Sequence, residues 1–359
     1  MFDDTVKQDS HRIFMKNKNK IYKIHFELSA MKFKYLSVVV WVFCSSAFAQ
    51  NFVENTDITD QVNAELKKNK SVSIPSGDFK IDANKSIQPP SGSSINMQNG
   101  TRLFVIPNRH DSSRVFKISN VNNVKITGGQ LLGDKYTHLN GKGEWGMGVE
   151  IRDSQNISVS NMKISKMWGD AIYIATNGAN ANKNITLSSL TMNDNRRQGI
   201  TITSVDTLNA SHLNISNTGG TNPANAVDIE PNNNKAILRN INFNGLTTYD
   251  NAGVGFQVSL KHYNNSPRPI SISLRNHSDN GSNFGFVING LTSPVKGSID
   301  IDGVKYKTNK KNNFCFNSWQ NNVTVNVKNI SYDKENTFPK HSWCLDYNQE
   351  SKIKISRAQ

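Results

Sequence analysis

The chain has 359 residues, of which 19% are charged, and its formal net charge is +14. The basic residues are scattered, and the sequence contains neither an arginine-rich run nor a known nucleic-acid motif, which argues against a nucleic-acid partner. No apolar run reaches the ~20 residues that a membrane-spanning helix needs. The positive charge favours an anionic partner such as an acidic polysaccharide; a charged surface that only keeps the protein soluble is the alternative.

The N-terminal segment predicts export. Residues 31–49 combine a basic start, a short apolar stretch and an Ala-Phe-Ala cleavage site, as in a signal peptide. Residues 1–30 match neither a signal nor the repeats that follow, so we interpret them as upstream sequence ahead of the true start at Met31, with a genuine extension as the alternative. Cleavage after Ala49 leaves a secreted or periplasmic domain, 50–359, whose net charge is +10.

A short amphipathic helix comes next. Ile58, Val62 and Leu66 recur at helical spacing. A solenoid must cover its open first coil with such a polar-backed element. We therefore predict a cap at about 57–70, followed by coils over about 71–350.

A repeat of 23 to 30 residues organises the rest of the chain. Each copy has a small residue, an apolar one, a variable one and another apolar one. The copies are 148–151, 171–174, 199–202, 226–229, 255–258 and 285–288. A second series of short apolar–polar alternations lies between them, separated by Asn-rich links that suit tight bends. This self-similarity predicts an all-β fold, a single-stranded parallel β-helix.

Several segments resemble a known family. The capping helix together with Ser76-Gly77-Asp78-Phe79-Lys80-Ile81 resembles the N-terminal entry of the pectate-lyase-like superfamily of secreted right-handed β-helix proteins, and the likeness in architecture covers about 57–330. The segments 195–200 and 227–232 also resemble bacterial β-helix proteins that process polysaccharides. The resemblance implies a right-handed β-helix and an exported protein that cuts, modifies or binds carbohydrate.

Strand alternation predicts two outward columns beside each other. The first holds only glycine and alanine: Gly148, Ala171, Gly199, Ala226, Gly255 and Gly285. Because alternate side chains of a strand point to opposite faces, this column predicts a shallow trough for a linear sugar chain. Steric demands of a bend are the alternative explanation. The second column is mostly polar: Glu150, Tyr173, Thr201, Asp228, Gln257 and Val287.

Asp228 and Glu230 share one face of a strand, which places their carboxylates roughly 6–8 Å apart. A separation of about 6.5–9.5 Å suits an inverting glycosidase, with one acid and one base flanking a water. Neighbouring carboxylates also separate each other's pKa values, as general acid–base catalysis requires. A solvated face and a Ca²⁺ ligand set are the structural alternatives.

The turns before two consecutive strands supply an acid and two arginines. Asp170 lies one coil before Arg196, Arg197 and Gln198. Since arginine binds carboxylates through paired donors, we predict that Arg197 holds an acidic sugar or orients Asp228. Simple neutralisation of nearby acids by the arginines fits the same pattern.

Other candidates for substrate contact lie around these coils. Trp145 and Trp168 precede successive strands, and aromatic faces stack on sugar rings, although a buried role in a turn fits a Trp equally well. Lys261 and His262 follow a later strand as a base or a substrate contact, or as ordinary surface residues. The predicted substrate-binding residues are Arg196, Gln198, Tyr173, Glu150, Gln257, Lys261, His262, Trp168 and Trp145.

Cys315 and Cys344 occupy equivalent positions in consecutive coils. Adjacent strands are about 4.8 Å apart, and disulfide Cα distances begin near 4.4 Å, so a bridge fits this spacing. An exported compartment permits it. A stacked pair of buried thiols is the alternative.

Three functions fit these patterns. The first is a glycoside hydrolase acting on an acidic or decorated polysaccharide, with Asp228, Glu230 and Asp170 as acid and base and Arg197 beside them. The polygalacturonase series (Asn-Thr-Asp, Asp-Asp, Gly-His-Gly, Arg-Ile-Lys) and the Asp-Pro-His pattern of mannuronan epimerases are both missing, which disfavours those two activities.

The second is a lyase that removes the C5 proton of a uronic sugar by means of Arg197, Lys261 or Tyr173. The third is a glycan binder or adhesin without catalysis. We predict no metal and no cofactor, apart from Ca²⁺ in the lyase hypothesis. The sequence leaves monomer and homotrimer open.

Overall fold

The computed structural model describes residues 51–177, 181–319, 323–332, 344 and 353–357. The predicted extension and signal peptide lie outside these residues. Contacts along the chain separate a unit comprising 50–359 from the preceding residues. Within the described ranges, no helix has the length and apolarity that crossing a bilayer requires.

Helix α1 (Thr59–Asn69) closes the first coil, as predicted. Ile58, Val62 and Leu66 are buried in the main core, so the apolar stripe covers the open end. The helix ends at Lys70, which has a left-handed backbone (φ 57°) and donates its N–H to the carbonyl of Leu66.

Two parallel sheets wind along the molecule. The long sheet contains β1 (Ser71–Ile74), β2 (Gly77–Ile81), β3 (Ser94–Val105), β5 (Asn122–Leu132), β7 (Gln155–Ser160), β8 (Lys163–Ser165), β10 (Asn182–Asn193), β12 (Val205–Ser216), β14 (Leu238–Tyr249), β16 (Ile270–Asn280), β18 (Gly297–Lys307), β20 (Thr324–Tyr332) and β21 (Ile353–Arg357). The short sheet contains β4 (Ser112–Ser119), β6 (Trp145–Arg152), β9 (Ile172–Ala175), β11 (Ile200–Ile202), β13 (Val227–Ile229), β15 (Val254–Ser259), β17 (Phe284–Leu291) and β19 (Asn312–Trp319).

Successive strands in each sheet are one coil apart in the chain. Ile172 pairs with Ile200, and Ile200 pairs with Val227, both in parallel. On the long sheet, Leu208 pairs with Ile241 in the same way. The chain therefore alternates between the two sheets, and the predicted parallel β-helix is confirmed.

Asparagines form bends at the start of long-sheet strands, where the Asn-rich links were predicted. Asn123, Asn156 and Asn184 all have left-handed backbones, with φ of 57°, 55° and 53°. Their side chains also form a ladder, in which Asn156 donates to Asn123 at 3.0 Å and Asn184 donates to Asn156 at 3.1 Å. Asn tolerates this backbone region better than other residues with a side chain, which explains its abundance here.

A disulfide joins Cys315 to Cys344, with their Cα atoms 5.1 Å apart. Both cysteines belong to a small apolar cluster, separate from the main core, that also contains Val254, Phe284 and Val287. The disulfide therefore lies at the C-terminal end of the described short sheet.

Candidate functional site

The second outward column has the predicted register. In coil order its members are Glu150, Tyr173, Thr201, Asp228, Gln257, Val287 and Cys315. Adjacent members are one strand spacing apart, about 4.8 Å. The column is polar as far as Gln257 and becomes apolar at Val287, where the disulfide cluster begins.

Asp228 is fully buried. Gln198, Asn225 and Gln257 donate amide hydrogens to its Oδ2 at 2.9, 3.0 and 3.2 Å. Burial and the nearby charge of Glu230 raise the pKa of Asp228 to about 8, while the three amide donors act in the opposite direction. The structure therefore contradicts the expectation that both carboxylates of the Asp228–Glu230 pair face solvent, because amides from neighbouring coils cover Asp228.

Arg197 connects two acids on different coils, as the alternative of neutralisation predicted, and it makes no hydrogen bond to Asp228 in the part of the chain that the structure describes. Its Nη1 donates to Asp170 Oδ2 at 3.1 Å, and its Nη2 donates to Glu230 Oε1 at 3.2 Å. Thr201 also donates to Asp170, at 2.7 Å. Asp170 is fully buried, and burial raises its pKa to about 6 in spite of Arg197. Asp170 therefore holds Arg197 from below and does not reach the surface.

A cleft of about 640 Å³ lies on this face of the short sheet. Its lining residues are Ser112, Arg114, Glu144, Trp145, Met147, Arg152, Tyr173, Arg197, Glu230, Pro231, Asn232, Ser259, Lys261 and His262. Six predicted site residues are among them, namely Glu230, Arg197, Tyr173, Trp145, Lys261 and His262. Lys261 and His262 begin a 3₁₀ helix, η1 (Lys261–Tyr263), that follows β15.

Two carboxylates face this cleft on either side of Arg197. Glu230 lies 3.2 Å from Arg197 Nη2, and Glu144 lies 3.9 Å from Arg197 Nε. Their side chains are 32% and 37% exposed, so both can reach a bound molecule. Burial, together with the charge of Glu144, raises the pKa of Glu230, and Arg197 opposes that rise.

We refer to the insertion before β6, residues 133–144, as the rim, because its last residue, Glu144, lines the cleft. The Trp168 ring lies between the His138 ring, stacked at 4.0 Å, and the Arg196 guanidinium, 3.8 Å from its centroid. Arg196 also donates to the carbonyl of Gly143 at 3.0 Å. Trp168 and Arg196 thus fix the position of the rim and are not among the residues that line the cleft.

Lys135 provides a second attachment for the insertion. Its ammonium group donates to Asp194 Oδ1 at 2.6 Å and to the carbonyl of Gly219 at 2.7 Å. Asp134 accepts from Asn108 at 3.1 Å and lies 2.8 Å from the His138 ring. These contacts hold the segment that ends at Glu144 against two coils.

Glu150 is 1% exposed, although it was predicted to contact substrate. Its two oxygens accept from Arg114 Nε at 2.8 Å and from Arg152 Nε at 2.9 Å. Gln198 is likewise fully buried, and Gln257 is partly buried over Asp228. Glu150 and Gln198 therefore act on other side chains, and the expectation of direct substrate contact is wrong for both in this structure.

The predicted glycine–alanine trough is also wrong, because all six members of that column are buried. A Cβ atom on Gly199 would lie 2.4 Å from the Ile215 side chain, and one on Gly148 would lie 2.8 Å from the Ile164 side chain. Ile215 and Ile164 belong to the core, so the column faces inward at the point where the chain turns into each short strand. Steric demand at a bend, the alternative explanation, fits these contacts.

Sequence reasoning assigned no role to Glu144, Arg114, Arg152 and Asn225, although strand alternation placed Arg152 in an outward position. Asn225 lies one position before the repeat and was detectable as the equivalent of Asp170 and Gln198. Glu144 is the last residue of an insertion, 133–144, so the repeat period does not predict its position.

Two solved structures have a similar backbone. A tailspike protein, gp49 from Acinetobacter baumannii bacteriophage Fri1, described as a capsular polysaccharide depolymerase, matches with a TM-score of 0.55 and 11% identity over 83% of this chain and 64% of its own. Pectate lyase Pel9A matches with a TM-score of 0.51 and 12% identity over 75% of this chain and 71% of its own. This chain has the parallel β-helix fold.

Curated relatives of this β-helix chain are distant. The uncharacterized protein YclG of Bacillus subtilis (strain 168) is 28% identical over 275 residues, which cover 68% of this chain and 46% of YclG. The SPbeta prophage-derived uncharacterized protein YorA of the same strain is 26% identical over 215 residues, 52% of this chain and 37% of YorA. The chain thus spans less than half the length of either relative. No protein-family profile matches it.

The chemistry available on this face of the β-helix is that of carboxylates and cations. Among the described residues, no group of three or more His, Cys, Asp or Glu side chains is placed to hold a metal ion. Glu144 and Glu230 offer an acid and a base, and Arg197 offers a fixed positive charge between them.

Proposed function

We propose that the protein hydrolyses a glycosidic bond of a polysaccharide bound across the short sheet, with Glu230 as the general acid and Glu144 as the general base. The observation that carries the proposal is the pair of cleft carboxylates on either side of one guanidinium, that of Arg197. The polysaccharide-degrading proteins with the same fold support the substrate class. Because the likeness extends to fold alone, the assignment depends on the residues of this chain.

Glu230 fits the acid because its pKa is raised, and a protonated carboxyl is needed to protonate a leaving oxygen. Glu144 fits the base because it is the more exposed of the two and stands 3.9 Å from Arg197, beyond a direct hydrogen bond. A single planar guanidinium that contacts both limits the separation of their oxygens to at most about 9–10 Å. Inverting glycosidases place their carboxyl groups about 6.5–9.5 Å apart.

Asp170 and Asp228 enter the proposal as positioning residues. Asp170 orients Arg197 from the coil below, and its own carboxylate is held by Thr201. Asp228 organises Gln198 and Gln257 beneath Glu230. Neither carboxyl group reaches the cleft, so direct catalysis moves from the predicted pair to Glu144 and Glu230.

A lyase is the second candidate, and two of its three proposed bases fit poorly. Burial lowers the pKa of Arg197, but the charges of Asp170 and Glu230 raise it by more. Arg197 therefore stays protonated. For Tyr173, burial itself raises the pKa, so its phenolate is harder to form. Lys261 remains as a base for β-elimination. These directions favour the hydrolase, and Ca²⁺ belongs only to the lyase alternative.

Incubation of the 50–359 protein with a panel of bacterial and plant polysaccharides tests the proposal by mass analysis of products. We expect hydrolytic products, with one water added per cleavage, and we expect Glu230→Gln and Glu144→Gln each to lower kcat by about 10²–10⁴-fold. Glu65→Gln, at a half-buried position on α1 outside the cleft, serves as the matched control and should retain full activity.

Unsaturated products would identify the lyase, and binding without any cleavage would identify a glycan-binding protein. Full activity of both Glu230→Gln and Glu144→Gln would refute the assignment to this pair. Export is part of the proposal, and N-terminal sequencing of the mature protein checks cleavage after Ala49.

A further inference from the structure

One end of the cleft carries two arginines that share a single buried acid. Arg114 Nε and Arg152 Nε donate to the two oxygens of Glu150, at 2.8 and 2.9 Å. The arginine side chains are 23% and 21% exposed, whereas Glu150 is 1% exposed. Glu150 therefore fixes both guanidinium groups from beneath while leaving them in contact with the cleft.

The remaining donors of these arginines are only partly used. Arg114 Nη1 donates to Ser112 at 2.8 Å, and Arg152 Nη1 donates to Asn177 at 3.3 Å. The Nη2 group of each has no hydrogen-bond partner among the described residues. Because a guanidinium carries five N–H donors in a planar fork, each arginine can still bind an anion.

The charges at this place do not cancel. Two arginines and one carboxylate leave one positive charge here, whereas in the rest of the cleft Arg197 and Lys261 are matched in number by Glu144 and Glu230. Such an excess of positive charge in a partly desolvated site favours an anion. The ion pairs with Glu150 already offset the free energy of removing the arginines from water. A group with a single negative charge balances the pair.

The ring of Tyr173 gives this place a second recognition element. Its centroid lies 5.2 Å from the Arg152 guanidinium, and Tyr173 lines the cleft and is one coil from Glu150. An aromatic ring beside a cation suits a sugar ring that bears an acidic substituent, because the ring supplies apolar contact and the guanidinium binds the charge.

We infer that Arg114 and Arg152 form a subsite for the carboxylate of an acidic sugar residue, next to the Glu144–Glu230 pair. A carboxylate matches the single excess charge and the planar donors, whereas a phosphate monoester carries ≈ −1.5 to −2 at neutral pH. The inference names the substrate class of the proposed hydrolase, but binding at the subsite does not require cleavage.

Affinity electrophoresis tests the inference without reference to catalysis. The probes are polygalacturonate, alginate, hyaluronan and pyruvylated xanthan, each alongside its carboxyl-reduced form, with dextran sulfate as the sulfate probe. We expect retardation by at least one carboxylated glycan and loss of retardation after its carboxyl groups are reduced. Arg114→Gln and Arg152→Gln should each weaken Kd roughly 10- to 100-fold, as loss of a charge-assisted hydrogen bond predicts.

Arg239→Gln is the matched control, since Arg239 pairs with Asp206 on the long sheet and its substitution removes the same charge. It should change Kd by less than about 2-fold, because Arg239 does not line the cleft. Arg114→Lys and Arg152→Lys keep the charge and lose the fork, so partial recovery is expected. Melting temperatures of all variants show whether they fold as the native protein does.

Equal binding of the carboxyl-reduced glycans, binding of dextran sulfate alone, binding of no carboxylated probe, or an equal loss in Arg239→Gln would each overturn the inference. The results that would refute the proposed hydrolase differ from those that would refute the subsite. Carboxylate-dependent binding without cleavage retains the subsite and refutes the hydrolase, while equal cleavage of reduced and carboxylated glycans retains the hydrolase and refutes the subsite.

Discussion

Asp228 illustrates how neighbouring side chains decide what a carboxyl group can do. On the strand it occupies an outward position of the column, yet amides from Gln198, Asn225 and Gln257 enclose it completely. The enclosure contains no cation in contact with the carboxylate among the described residues. The result is a buried acid that holds its proton at neutral pH, which suits a structural support beneath Glu230.

Asp228→Asn tests this state through the pH dependence of stability. The pKa of Asp228 is about 8 in the folded protein, against an ordinary value of 3.8. Between these values the folded state keeps a proton that the unfolded state has released, so the free energy of unfolding decreases as pH rises through this window. The contribution of this group is fully present below pH 3.8 and is lost by the time pH passes about 8.

Asparagine does not titrate, and it imitates the protonated acid. We therefore expect the Tm of Asp228→Asn, relative to the native protein, to improve by at least about 2–4 °C between pH 5 and pH 9 in thermal melts. Asp206→Asn is the control, because hydrogen bonding to Arg239 lowers the pKa of Asp206 and moves its titration below this range. A relative Tm for Asp228→Asn that is constant from pH 5 to pH 9 would show that the carboxyl group is ionised throughout.

The sequence predicted the position of Asp228 but not its burial. Parallel strands pair one residue with one residue, so counting along the repeat gives the column from Glu150 to Val287 correctly. Burial depends on which long side chains of neighbouring coils fold over a position, and spacing does not encode that. The glycine–alanine column fails for a related reason, because strict alternation of faces ends where each short strand begins.

At the scale of elements, the insertion 133–144 adds to the β-helix the acid that the coils lack. It places Glu144 opposite Glu230, and its own conformation depends on the Trp168 ring between His138 and Arg196. Periodicity finds strands because they repeat, and an insertion is by definition the part that does not. Half of the proposed acid–base pair was therefore not predictable from the repeat.

Arg196→Gln tests whether this stacking positions Glu144. The substitution removes the cation over Trp168 and the hydrogen bond to Gly143, so the end of the insertion should shift. A displacement of about 1 Å can cost 10²-fold in rate, and we expect kcat to fall roughly 10- to 100-fold. Arg239→Gln again serves as the control, with unchanged kcat.

A pH profile separates positioning from general damage. The charge of Glu144 is one cause of the raised pKa of Glu230, so moving Glu144 away should lower that pKa. The alkaline limb of the kcat/KM profile, where the acid loses its proton, should therefore shift to lower pH in Arg196→Gln. A lower kcat with an unshifted alkaline limb would mean that Arg196 supports the fold alone.

On the scale of the whole molecule, the β-helix distributes its stability along its length. In both sheets each strand pairs only with strands of the coils before and after it, so the protein behaves as a nearly one-dimensional stack outside the insertion 133–144, whose Lys135 reaches Gly219. The period of 23 to 30 residues was sufficient to predict this architecture, because repetition imposes the same pairing on every coil. The N-terminal cap was predictable as well, because Ile58, Val62 and Leu66 recur at helical spacing.

The Cys315–Cys344 disulfide gives a test of this one-dimensional behaviour. It closes a loop of 29 residues at the C-terminal end of the described short sheet. Closing a loop of that length stabilises a protein by roughly 3–4 kcal/mol in the chain-entropy account. In a stack of coils this stabilisation should remain local. We therefore expect a double Cys315→Ser, Cys344→Ser variant to lose protection at that end first.

Hydrogen exchange measured by mass spectrometry locates the effect. Amides of β17 and β19 should exchange faster in the variant, while those of β9, β11 and β13 should keep native protection, and cleavage activity at 25 °C should be unchanged. Reduction of the native protein is the matched control, because it breaks the bond but retains both sulfur atoms in their apolar cluster. If protection instead fell equally in β9 and β19, the coils would unfold as one cooperative unit, and the cleft would depend on a covalent bond several coils away from it.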